Sequence, residues 1–308
     1  MAGDDARAVT AQRPIALTIA GSDSGGGAGI EADLKTFAAL GVHGACAITA
    51  LTAQNTRGVT TIHVAPSEIV RAQIDAVLDD FDVAAIKIGM LGSAAVAEAV
   101  AESLRAAFPS PQPSPASGRK GGGAAAPLLP LAGEGGAKRR MRAFVIYDPV
   151  MVASSGDALA GAGFVAAVKA RLLPLIDCLT PNLAEAAALL GVSVAEDEAA
   201  MARQGRALVA LGPRAVLMKG GHLAGDEAVD LLVTADAARR FAAPRLASEN
   251  LHGTGCTLSS AIAAHVVLGA KLAEAVAAAK EFVGASIERG RDVALGQGAG
   301  PLIQLPLR

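Results

Sequence analysis

An α/β fold, with a central and mainly parallel sheet covered by helices on both faces, is what this 308-residue sequence predicts. Three observations carry the prediction. Short apolar runs such as Ile15 to Ala20 lack polar alternation, as strands buried on both faces do. Between them lie segments whose apolar residues recur with helical spacing. With 52% hydrophobic and 18% charged residues, the chain can bury one large core or two modest ones.

The elements follow in order. Gly21 ends the first run, Ile15 to Ala20, and Ile30 to Leu40 places Ile30, Leu34, Phe37 and Leu40 on one helical face before Gly41 stops it. Cys46 to Leu51 is the next strand and Val59 to Val64 a short one. Pro66 opens a helix that runs through Leu78, and Ala84 to Ile88 returns as a strand before Gly89. After a break, Ala143 to Tyr147, Cys178 to Thr180 and Ala215 to Lys219 each read as a strand ending in a polar loop. Helices are predicted over Ala160 to Leu172, Asn182 to Leu190, Glu196 to Leu211, Thr257 to Leu268 and Leu272 to Arg289.

The break, residues 109–142, is rich in Pro, Gly, Ser and Ala and has no amphipathic period, so it reads as a low-complexity insert. Lengthening a surface loop costs only about 0.6 kcal/mol per doubling, so a fold tolerates it between a helix and the next strand. The sequence therefore divides into a tail, 1–13, and one domain, 14–308, interrupted by that insert. Net charge is −2 and no basic stripe interleaves with aromatics, which excludes nucleic acid as a partner. No apolar run approaches the roughly 20 residues of a spanning helix, so no membrane is expected. The start lacks an apolar signal region, and Cys46, Cys178 and Cys256 form no metal spacing and cannot all pair, so a reducing cytoplasm is expected.

Loops at the carboxyl ends of parallel strands are where open α/β sheets bind ligands. Gly253-Thr254-Gly255-Cys256 is a glycine turn feeding a small-residue helix. Unpaired N–H groups at a helix start can hold an anion, and the helix field is expected to lower the thiol's pKa, giving a phosphate cradle and a base together. The alternative is a buried cysteine in an ordinary turn. His252 beside it either contacts phosphate or packs; His43, His63 and His265 gain no role. Gly21-Ser22-Asp23-Ser24-Gly25-Gly26-Gly27-Ala28-Gly29 is too glycine-rich to be structural alone, and something must approach its backbone closely. No Gly-Lys-Ser/Thr follows, so it is no P-loop. Asp33, one turn into the next helix, and Gln54 after the second strand suit the edge of a neutral heteroaromatic ring, although Asp33 also fits as an acid stabilising a helix start.

Three more strand ends suggest a nucleotide and a metal. Asp148 precedes Pro149, which forces the chain out of the sheet. Asn182 and Glu185 either face one site or form an ordinary capping pair. Lys219 stands beside Gly220 and Gly221, either solvated or set against a transferring phosphoryl group.

Seven segments, Ala20 to Thr36, Ala50 to Thr56, Lys87 to Ser93, Asp148 to Met151, Thr180 to Asn182, Lys219 to His222 and His252 to Cys256, occur in an order that resembles the hydroxymethylpyrimidine/phosphomethylpyrimidine kinases of thiamine biosynthesis, within the ribokinase-like superfamily. The resemblance spans roughly 14 to 290 apart from the insert. It implies a single-domain, three-layer α/β/α fold and an ATP- and Mg2+-dependent kinase that phosphorylates a pyrimidine alcohol and then its monophosphate, in members that are often homodimers. By position it implies that Gly21, Asp33, Gln54 and Met90 hold the pyrimidine, while Lys219 and the turn Gly253, Thr254 and Gly255 stabilise the moving phosphate. Cys256 would be the base, where many related sugar kinases carry Asp. Asp148 and Glu185 would organise metal and phosphate oxygens, and Thr180 and Asn182 would face the nucleotide. Ser24, Gly25, Glu31 and Ser154 depart conservatively from the family pattern. A pyridoxal-type kinase shares the scaffold and is the alternative activity; a non-catalytic binding protein is a further one, disfavoured because a pure binder needs neither Lys219 nor Cys256.

Overall fold

Nine strands form one sheet in the order β3-β2-β1-β4-β5-β6-β7-β8-β9 in the computed structural model, which describes residues 13–109, 142–151, 163–221 and 223–305. Residues 1–12, most of the insert, Ser154, the expected helix start at 160–162 and His222 lie outside the described residues. In chain order the strands and helices are β1 Ile15–Asp23, α1 Gly29–Ala39, β2 His43–Asn55, β3 Gly58–Val64, α2 Ser67–Asp80, β4 Val83–Ile88, α3 Ala94–Ala107 and β5 Phe144–Tyr147. There follow α4 Phe164–Ala167, β6 Cys178–Leu179, α5 Leu183–Leu190, α6 Glu198–Val209, β7 Ala215–Lys219, β8 Glu227–Thr234, β9 Ala238–Pro244, α7 Thr254–Val267 and α8 Leu272–Gly290.

The central six strands, β2-β1-β4-β5-β6-β7, pair in parallel, and β3, β8 and β9 add antiparallel pairings at the two edges. The parallel core follows from the continuous apolar runs, because such strands have no polar face to show water. Residues of α2, α3, α4, α5 and α6 join the sheet in one apolar layer, and α1, α7 and α8 close the other. No described helix is long and apolar enough to cross a membrane.

Three elements differ from the sequence expectation. Helix α3 and the hairpin β8–β9 are additional. Of the helix expected over Ala160 to Leu172, the described residues are α-helical over Phe164–Ala167, while Val168–Leu172 takes π geometry and Leu173–Leu175 a 3-10 turn. Pro174 lies in that turn, and a proline there has no N–H to donate and crowds the preceding carbonyls, so the winding changes ahead of it.

The chain crosses from one half of the sheet to the other between β1 and β4, which are adjacent although β2 and β3 intervene in sequence. This is a topological switch point, and it opens a crevice outside the carboxyl ends of β1 and β4. Both glycine-rich motifs converge there.

Candidate active site

The loop after β1 is built around Asp23. Its carboxylate accepts the N–H groups of Gly25 at 2.8 Å, Gly27 at 3.0 Å and Ala28 at 2.9 Å, and lies 3.0 Å from His252 Nε2. Burial alone would raise its pKa, but the bonds from His252, Gly25 and Ala28 outweigh it and hold the carboxyl below its ordinary value. Glu31 fastens the loop to α1, accepting the Ser22 hydroxyl at 2.6 Å and the Asp23 N–H at 2.8 Å. Sequence reasoning assigned no role to Asp23; an aspartate two residues before a glycine in a turn is the signal that was there to read.

On the far side of this loop sits the end of β2. Gln54 N–H donates to Ser24 Oγ at 2.8 Å, and its side-chain Nε2 lies 3.1 Å from His252 Nε2. At the end of β4, the Met90 sulfur comes within 3.2 Å of where a Cβ on Gly21 would stand. Gly21 and Met90 thus adjoin, Met90 packing with Ala50, Ile62 and Val150, while Gln54 lies beside Ser24 and His252 across the loop.

Asp33 does not join them. It is fully buried, and its oxygens accept Thr18 Oγ1 at 2.6 Å, Lys87 Nζ at 2.8 Å and Ser260 Oγ at 2.6 Å. The expectation that Asp33 touches a ring is corrected: it holds the floor of the crevice together. Lys87, also fully buried, was missed, although a lysine inside an apolar strand was visible in Ala84 to Ile88.

The glycine turn before α7 meets the loop after β1 directly. Gly253 has φ +85°, and a Cβ there would lie 2.0 Å from the Gly27 carbonyl oxygen, so only glycine fits. Gly255 faces the other way: its missing Cβ leaves 3.0 Å to Lys219 Nζ and 3.3 Å to Asp148 Oδ2. The turn Gly253 to Gly255 therefore lies between the Gln54 side and a cation.

That cation is paired. Lys219 Nζ donates to Asp148 Oδ1 at 2.6 Å, with both side chains largely buried. Burial would lower the lysine's pKa, but Asp148 and Glu185 more than offset it, so Lys219 stays charged. Glu185 is pushed up to about 7, first by burial, with Lys219 opposing and Asp148 adding to the rise. The capping alternative holds for Asn182, whose Oδ1 accepts the Glu185 N–H at 2.8 Å while Glu185 Oε2 accepts the Asn182 N–H at 2.7 Å. Thr180 is fully buried, its hydroxyl 3.4 Å from Asp148 Oδ1, so its expected contact with a nucleotide is corrected to support beneath Asp148. Among the described residues no group of three or more His, Cys, Asp or Glu could hold a metal ion.

Cys256 is the third residue of α7 and partly exposed, but its thiol is not lowered as expected. It is pushed up to about 11, first by desolvation, with Asp33 and Asp148 adding to the rise; Lys87 and the Gly29 N–H oppose it. Proximity of two carboxylates and loss of water outweigh the helix start.

A strap from the carboxyl-terminal region stitches these loops together. Gln297 and Gly298 N–H donate to Thr56 Oγ1, Leu302 N–H to the His252 carbonyl at 3.3 Å, and Gln304 Nε2 to Thr257 Oγ1 at 3.0 Å.

The family model described as phosphomethylpyrimidine kinase matches residues 23–112 and 135–303. A hydroxymethylpyrimidine/phosphomethylpyrimidine kinase of Rhizobium meliloti is 49% identical over 288 residues, covering 94% of this chain and 96% of the relative; that of Escherichia coli is 42% identical over 291 residues, covering 94% and 97%. Among solved structures, the phosphomethylpyrimidine kinase of Clostridium difficile aligns with a TM-score of 0.70 and 36% identity, covering 89% of this chain and all of the other. An ADP complex of Bacillus subtilis pyridoxal kinase aligns with a TM-score of 0.76 and 30% identity, covering 95% and 98%.

Proposed function

The chain belongs to the phosphomethylpyrimidine kinase family, and from that premise we propose that it transfers the γ-phosphoryl group of ATP to the hydroxyl of 4-amino-5-hydroxymethyl-2-methylpyrimidine, and then a second phosphoryl group to the product. It is a phosphotransferase of thiamine biosynthesis. One observation carries the assignment of its parts: the turn Gly253 to Gly255 touches the Gly27 loop on one side and Lys219 with Asp148 on the other.

In this reading the pyrimidine lies in the crevice of Gly21, Gln54 and Met90, its edge hydrogen-bonded by the Gln54 amide. The N–H groups of the turn and the Lys219 ammonium meet the charge that spreads over the phosphoryl oxygens in flight. In the first transfer the hydroxyl oxygen bonds to the γ-phosphorus, the bond to ADP breaks, and the hydroxyl proton passes to the thiolate form of Cys256, which must first lose its own proton to water. In the second the nucleophile is a phosphate oxygen already ionised near neutral pH, so no base is needed. Asp148 and Glu185, converging on Lys219, match the one or two carboxylates that Mg2+ takes besides substrate phosphates. Bound there, the ion would supply charge neutralisation.

In this reading the base of the nucleotide lies in the open groove of about 280 Å³ between β9 and α8, lined by Phe241, Ala243, Pro244, Ala277, Lys280 and Glu281. Its floor is joined to the phosphate end, since Asp230 pairs with Lys280 at 2.5 Å and accepts the Gly220 N–H at 3.2 Å. A homodimer in the cytoplasm completes the proposal, the dimer to be checked by sedimentation.

The test is ATP consumption with the pyrimidine alcohol, its monophosphate and pyridoxal. Cys256→Ala is expected to lower the first transfer about 10²- to 10⁴-fold while nucleotide binding persists and the second transfer loses far less. Equal turnover by the variant removes the base, and preference for pyridoxal removes the substrate.

A further inference from the structure

We infer that Lys87 is a positioning residue for Cys256: its ammonium, fixed by Asp33, supplies the positive charge against which the thiolate forms, so that the three side chains act as one buried unit. The inference rests on the reading of Cys256 as base, but it concerns the ionisation of that thiol and not its use.

Lys87 occupies the middle of the sheet, opposite Thr18 of β1 and Ile146 of β5, and is fully buried. An ammonium is expensive to bury, and a pair with one carboxylate is no better for stability than two apolar residues of the same volume. The side chain does not stay at the strand's centre. Lys87 and Gly89 share a face, and a Cβ on Gly89 would lie 2.9 Å from Lys87 Nζ, so the chain extends towards the carboxyl end of β4 and the crevice. Its charge is delivered there.

An ammonium has three N–H donors. Among the described residues the one hydrogen bond recorded for Lys87 Nζ goes to Asp33 Oδ2, at 2.8 Å. Asp33 is by contrast saturated: Thr18 also donates to Oδ2, and Ser260 donates to Oδ1. Ser260 sits four residues after Cys256 on α7, one turn along the same face. The carboxylate thus bridges the ammonium to the helix face that carries the thiol, and leaves two buried N–H groups uncommitted. A thiolate at Cys256, one turn from Ser260, would form against this positive charge, the thiol proton leaving to water at the partly exposed edge of the residue.

Charged groups reach this thiol from every neighbouring element: Lys87 from β4, Asp33 from α1, Asp148 after β5 and Lys219 at the end of β7, together with the Gly29 N–H. Lys87 is the largest influence favouring the thiolate, and Asp33 the largest charge opposing it. The ammonium favours the thiolate and the carboxylate opposes it, so the two partners of this pair can be tested separately.

Alkylation of Cys256 by iodoacetamide, followed against pH by peptide mass spectrometry with Cys46 and Cys178 as internal references, reads the thiolate directly and needs no turnover. Lys87→Met is expected to move the midpoint up by a unit or more, slowing alkylation at pH 8 about tenfold. Asp33→Asn, which keeps the shape and leaves the lysine, is expected to move it down and speed alkylation by a similar factor. The kcat/KM profile for the first transfer is expected to shift with each. Unchanged midpoints, or shifts of both variants in one direction, overturn the inference. Should Lys87→Met fail to fold, Lys87→Gln, which removes the charge but keeps a donor to Asp33, decides: unaltered or faster alkylation overturns it. Retained turnover by Cys256→Ala would remove the base without touching this result.

Discussion

Gly253→Ala tests the contact on which the site depends, and Gly269→Ala provides its control. Both glycines hold left-handed backbone, at φ +85° and +96°, so an alanine at either position carries the same strain of about 1–2 kcal/mol. They differ in surroundings. Nothing lies within 4 Å of a Cβ on Gly269, whereas a Cβ on Gly253 would stand 2.0 Å from the Gly27 carbonyl oxygen. To reach ordinary contact at 3.4 Å, turn and loop must separate by roughly 1.4 Å. A misplacement of about 1 Å costs on the order of 10²-fold in rate, because phosphoryl transfer depends on alignment. Thermal melts and steady-state kinetics of the two variants separate the effects. Both are expected to lose a few degrees in Tm, at about 2–4 °C per kcal/mol. Only Gly253→Ala is expected to lose about 10²-fold in kcat/KM. Equal kinetics for the two would mean that the turn and the Gly27 loop do not form one site.

Three more outcomes follow from the geometry. Lys219→Ala is expected to lower kcat about 10²- to 10³-fold with a smaller change in KM, since its charge counts most while the phosphoryl group moves; a loss confined to KM would contradict that role. Glu185 titrates near 7 in the folded chain and near 4.5 when unfolded, so the folded state holds its proton longer and stability falls as pH rises from about 4.5 to about 7. Glu185→Gln, compared with the parent chain by urea unfolding in chelator, should therefore gain a few kcal/mol relative to it across that window; parallel curves would refute the shift. Deleting residues 113–134, which the family match skips, is expected to leave turnover intact, and a collapse in soluble yield or rate would assign that segment a part in the fold.

The parallel strands were legible because burial on both faces writes an uninterrupted apolar run, as at Ile15 to Ala20 and Ala215 to Lys219. The hairpin β8–β9 was not, because an edge strand such as Ala238-Arg239-Arg240-Phe241 keeps too little apolar alternation to stand out. Helix α3 was legible as well, since Val96, Val100 and Leu104 recur every four residues opposite the exposed Glu98, Glu102 and Arg105, but sequence reasoning passed over it. Site residues followed the same division. Gly253, Gly255 and Lys219 announced themselves by type and by place at strand or helix ends. Asp33 looked like an accessible acid, and only the packing of Lys87, Thr18 and Ser260 around it turns it into a buried anchor. The place of Cys256 in the first turn of α7 was legible but the raised pKa of its thiol was not, because local helix geometry is visible in a motif and desolvation by distant elements is not.

The hydrogen bond between Asp23 and His252 joins positions 229 residues apart, and the one between Gln54 and His252 spans 198. Neither can form before nearly the whole polypeptide has collapsed onto its sheet, since closing so long a loop costs chain entropy that only the intervening strands repay. The crevice proposed for the substrate is thus closed by contacts between the first and last thirds of the chain, and a truncation of either end is expected to remove it.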